Sequence, residues 1–154
     1  MRSFNADDRK KKSNRINLPD NPGNLPAEVV HQLEQAVKAN VKDGCVKCLA
    51  GWEIANNAGV SRLDVGAMID KLGIRVTECQ LGCFKVSKTP YTGSITEPLN
   101  EEAISCIKSH DEAGELTCKI MHDLAHNLNV KPLSIANAAN TVGCKIQKCQ
   151  LGCF

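Results

Sequence analysis

Residues Cys48–Phe84 read CLAGWEIANNAGVSRLDVGAMIDKLGIRVTECQLGCF, and the chain writes this stretch twice. A shift of 70 residues lays Cys118–Phe154 over it without a gap, so that CQLGCF falls on CQLGCF. Between Gly44–Phe84 and Gly114–Phe154, 13 of 41 positions are identical. A fixed internal period is the first thing a fold must explain. It divides the 154 residues into an arm expected to be basic and disordered (1–26), a first unit (27–86), a linker (87–100) and a second unit (101–154). Units this small have thin cores and lean on a neighbour, a partner or a metal.

Within the first unit, AEVVHQLEQAVKAN (27–40) places Val29, Val30, Leu33, Ala36 and Val37 on one helical stripe. A second helix is predicted from about Val46 to Asn57, and Ala58-Gly59-Val60 is the turn after it. Ser61 caps a third helix, with Asp64 three positions on in a capping-box arrangement, and Gly73 ends it. Ile74-Arg75-Val76-Thr77 reads as a short strand, and Cys79–Cys83 closes the unit as a tight cysteine knuckle. The second unit repeats this plan. Asn100 caps a first helix carrying Ala103, Ile104, Cys106 and Ile107, further helices run over roughly 116–127 and 132–141, and Lys145-Ile146 repeats the strand. The linker SKTPYTGSITEPLN (87–100) is rich in proline and hydroxyl residues.

These residues resemble the helix-turn-helix superfamily, in its winged-helix branch. Ala55 sits where the second and third helices cross. Gly59 supplies a left-handed turn residue, Val60 plugs the turn, and Val65 packs back. In the second unit Ala125, Asn129, Val130 and Ile135 take these places, Asn being the side chain that best tolerates the left-handed region. Pro132 stands at the first turn of the third helix, where its missing N–H is harmless. The fold class expected is mainly α, as two tandem three-helix winged units with short β elements. A plain bundle of three helices is the alternative.

The resemblance implies DNA binding through the third helix. The residues it points to are Arg62, Asp64, Lys71 and Arg75 in the first unit, and Lys131, Ser134, Asn137, Asn140 and Lys145 in the second. Asn reads adenine edges, but phosphate anchoring needs Lys and Arg. The formal charge is +3 for 1–26, zero for 27–86 and −1 for 87–154, so the folded units are not the strongly basic body of a typical DNA binder. Part of the phosphate attraction would come from Arg9, Lys10, Lys11, Lys12 and Arg15. Helix-turn-helix folds also serve as protein-interaction modules, and this second reading stays open.

The nine cysteines are read as thiols or metal ligands, given a cytoplasmic setting. Cys45, Cys48, Cys79 and Cys83 form one candidate ligand set, and Cys118, Cys149 and Cys153 an incomplete second one, with Glu115 in the place of Cys45. Four converging thiolates suit zinc or an iron–sulfur cluster. Redox pairing and simple core packing are the alternatives, the latter favoured for Cys106 and Cys144. The first function expected is thus a transcriptional regulator with cysteine-based metal or redox sensing. No phosphate loop, nucleophile elbow or zincin motif points to an enzyme, and no apolar run reaches the roughly 20 residues of a membrane span.

Overall fold

A computed structural model describes residues 21–84 and 101–153. The linker and residues 1–20 of the expected arm, with Arg9, Lys10, Lys11, Lys12 and Arg15, lie outside the described residues. The architecture is mainly helical, with one small parallel sheet. In chain order the elements are α1 (Ala27–Ala39), β1 (Cys45–Lys47), α2 (Cys48–Ala58), α3 (Arg62–Lys71), β2 (Arg75–Thr77), α4 (Glu101–Glu112), α5 (Cys118–Asn127) and α6 (Pro132–Thr141).

The local signals resolve as the side chains demand. Leu33 and Val37 are the buried residues of the α1 stripe. Ser61 and Asp64 form the capping box at the start of α3: the Ser61 side chain accepts from the Asp64 N–H, and the Ser61 N–H donates to the Asp64 carboxylate. Gly59 is left-handed at φ 64° and Asn129 at φ 52°. The two turns close alike, with Val60 N–H on the Ala55 carbonyl at 3.1 Å and Val130 N–H on the Ala125 carbonyl at 2.9 Å. Ala55 and Ala125 are buried, and Gly59 and Asn129, two different residues, meet one backbone demand.

β1 and β2 pair in parallel, with Cys45 opposite Arg75, Val46 opposite Val76 and Lys47 opposite Thr77. Among the described residues no strand hairpin follows α3 or α6. In the second repeat the expected Lys145-Ile146 strand is reduced to one parallel bridge, Thr117 with Gln147, in the register of Lys47 with Thr77. The cause is a competing acceptor. The Arg75 N–H donates to the Gly44 carbonyl, whereas the Lys145 N–H donates to the Asp111 carboxylate at 3.1 Å. The side chain of α4 thus removes a ladder bond from the second sheet.

Two compact units result, and their limits are not those of the repeat. Unit one runs to Cys79 and then takes in the residues from Gln150 on; unit two is Gln80–Cys149. Each QLGC turn therefore counts with the helices of the other repeat. Unit one buries Leu33, Val37, Val46, Val65, Ile69 and Leu151, and unit two buries Leu81, Ile107, Leu116, Met121 and Ile135. Fully burying a leucine is worth about 1.5–3 kcal/mol, so each unit draws part of a thin core from the other half of the sequence.

Residues 21–26, the end of the expected arm, are structured. Asn21 brackets a turn by accepting from the Leu25 N–H and donating to its carbonyl. The Gly23 N–H donates to the Asp64 carboxylate at 2.7 Å. A Cβ on Gly23 would stand 2.5 Å from that oxygen, so only glycine allows the approach. No described helix is long and apolar enough to cross a membrane.

Candidate functional site

The third helix of each repeat is where function was expected, and the two helices differ. In α3 the whole run Asp64–Ile69 is buried. A helix that enters a DNA groove has to leave one face open, and over those residues α3 has none. Part of the cover comes from Leu151. A Cβ on Gly66 would lie 2.0 Å from the Leu151 carbonyl oxygen, and one on Gly51 would lie 3.2 Å from a Leu151 methyl. Gly66 therefore permits backbone-on-backbone contact, and Gly51 makes room for the leucine side chain.

The expected contact residues of unit one are partly taken up by the fold. Asp64 is 5% exposed, and its carboxylate serves Ser61 and Gly23. Arg62 lies over the Trp52 ring, 3.5 Å from its centroid, and donates from Nη1 to Gln150 Oε1 at 2.5 Å. Such a cation–π stack with a charge-assisted hydrogen bond holds a guanidinium in place. Lys71 is exposed and Arg75 half-buried in β2.

Unit two keeps an open face. Ile135, Ala136, Ala138 and Ala139 are the buried residues of α6. Leu133, Ser134, Asn140 and Thr141 are exposed, and Asn137 is half-buried. These positions recur at helical spacing and form one stripe. Lys131 and Lys145 are exposed at either side of the helix. The Thr141 hydroxyl donates back to the Asn137 carbonyl.

The nine cysteines differ in burial. Cys45 is half-buried at the start of β1, and Cys48 and Cys118 are buried at the starts of α2 and α5. Cys79 and Cys149 are buried, Cys83 is exposed and Cys153 is half-buried. Unit limits cut through both knuckles: Cys79 belongs to unit one and Cys83 to unit two, Cys149 to unit two and Cys153 to unit one. Among the described residues no three His, Cys, Asp or Glu side chains are grouped to hold a metal ion. Burial, together with the Asp111 carboxylate, pushes the Cys144 thiol up. Cys144 is 7% exposed, which agrees with its reading as core.

Sequence reasoning missed the tail-to-α3 packing and the Gly23–Asp64 clasp. A signal for the first was present: Gly66 sits in mid-helix, where glycine costs about 1 kcal/mol relative to alanine, and its repeat partner is Ala136. Comparison of the chain with protein-family models, with curated proteins and with solved structures found no match.

Proposed function

We propose that the two units are helix-turn-helix units working as a cytosolic protein-interaction module rather than as a tandem DNA reader. The observation that carries this reading is the buried run Asp64–Ile69 of α3, which leaves the middle of that helix no open face to enter a groove. Two further features support it. Leu63 and Leu133 occupy the same position in the first turn of α3 and α6 and are 41% and 47% exposed, where a DNA reader presents polar groups. The charge of residues 27–154 is −1, too little to hold a phosphate backbone.

A second reading is favoured by the open Ser134–Asn137–Asn140 stripe on α6: unit two alone contacts DNA, and residues 1–26 supply the phosphate attraction. One titration separates the two. The full chain and a chain lacking residues 1–20 are titrated with duplex DNA of mixed sequence from 50 to 200 mM salt. The interaction reading expects, at most, weak binding that vanishes with the basic residues and is indifferent to Asn137→Ala and Asn140→Ala. Binding that loses tenfold or more with those two substitutions, over a steep salt slope, would establish the second reading.

A further inference from the structure

We propose that the Gln150–Cys153 turn is an exchangeable ligand, and that the site on α2 and α3 which holds it accepts the same turn from a second copy of this chain. The site reads three features of the turn. Arg62, stacked on Trp52, donates to the Gln150 side chain. Gly51 and Ile69 line the position of the Leu151 methyls. Gly66 receives the Leu151 carbonyl at a distance no other residue would allow. Trp52 and Arg62 are thus separated by 98 and 88 residues from Gln150, and the groups named on the site all fall within residues 51–69.

The ligand is preshaped. Lys148 and Gly152 have φ of 47° and 65°, and the first-repeat turn has the same bends at Glu78 and Gly82, φ 51° and 68°. A turn with a fixed backbone loses little freedom on docking. The site in unit one is also the one built for glutamine. Where unit one has Trp52, Arg62 and Gly66, the second repeat has His122, Pro132 and Ala136, and the buried Gln80 Nε2 has no hydrogen-bond partner. A tethered ligand sees its site at an effective concentration on the order of millimolar, so the turn of the same chain wins at ordinary concentrations. A second copy takes its place once the internal turn or the internal site is disabled.

Two full-length variants test this. Gly66→Val closes the site and leaves a free turn; Leu151→Asp spoils the turn and leaves an open site. Each variant alone is expected to be monomeric by light scattering under reducing conditions, and an equimolar mixture at about 100 µM is expected to give a one-to-one heterodimer. Folded variants that stay monomeric in the mixture overturn the proposal. Should either variant fail to fold, the wild-type chain is titrated with a labelled CQLGCF peptide. Binding near millimolar peptide, weakened at least tenfold when the leucine of the peptide is replaced by aspartate, supports exchange; no binding to the wild-type chain, or binding indifferent to that replacement, overturns it. Neither result bears on whether the module binds DNA, so this inference and the functional reading fail separately.

Discussion

One hydrogen on Gly66 decides whether the end of the chain seats on α3. Because a Cβ there meets main-chain carbonyl atoms of Leu151 at 2.0 and 2.7 Å, no rotamer change relieves the clash. Gly66→Ala is expected to cost about 1–3 kcal/mol or more, the usual penalty of overpacking, although alanine is the better helix former. Gly51→Ala meets leucine methyls at 3.2 and 3.3 Å and an isoleucine methyl at an ordinary 3.9 Å, all of them side-chain ends that shift by tenths of an ångström, and should cost clearly less. Urea unfolding of both variants checks the order; equal costs would show that the Leu151 carbonyl does not sit where we place it. At the same scale, the raised Cys144 thiol predicts a pH effect with a definite sign. Folding favours the protonated thiol, so its contribution is whole below the ordinary thiol value of about 8.5 and is lost as pH rises through the raised folded value. At pH 8 Cys83, exposed, should alkylate well before Cys144. Asp111→Asn keeps an acceptor for the Lys145 N–H but removes a charge, and should speed Cys144 alkylation. Unchanged rates would mean that burial alone sets the shift.

At the scale of the element, α3 and α6 are the same helix started in two ways. α3 has a full capping box, and Gly23 is bound to the same carboxylate. α6 begins at Lys131 with no side-chain cap and relies on Pro132. Lys131→Ser should therefore stabilise the chain, by about 0.5–1 kcal/mol, whereas Ser61→Ala should destabilise it by a similar amount. Thermal unfolding of the two variants reads both signs. These features were readable from sequence because they are local: a cap, a left-handed turn residue and a helix stop each depend on a few neighbouring residues. Ser61 with Asp64, Gly59, Asn129 and Gly73 all stand where their side chains, or lack of one, put them. The strand after α6 was not readable. Its loss depends on Asp111, 34 residues upstream of Lys145, offering a carboxylate where the first repeat offers the Gly44 carbonyl.

At the scale of the molecule, the repeat misleads on one point. Two identical CQLGCF segments carry no information about which set of helices each serves, since either would satisfy the same local geometry. Only the packing shows that the last turn belongs with α2 and α3. The candidate site was half readable for the same reason. The polar stripe of α6 follows from helical spacing, while the closing of α3 follows from the packing of residue 151, distant in sequence. The most direct test is amide hydrogen exchange on the full chain and on a chain stopped after Cys149. Our account predicts that removing second-repeat residues deprotects α2 and α3 of the first repeat and leaves α5 and α6 protected. Deprotection confined to α5 and α6, with Val65–Ile69 unchanged, would show that each turn serves its own repeat and would contradict the account.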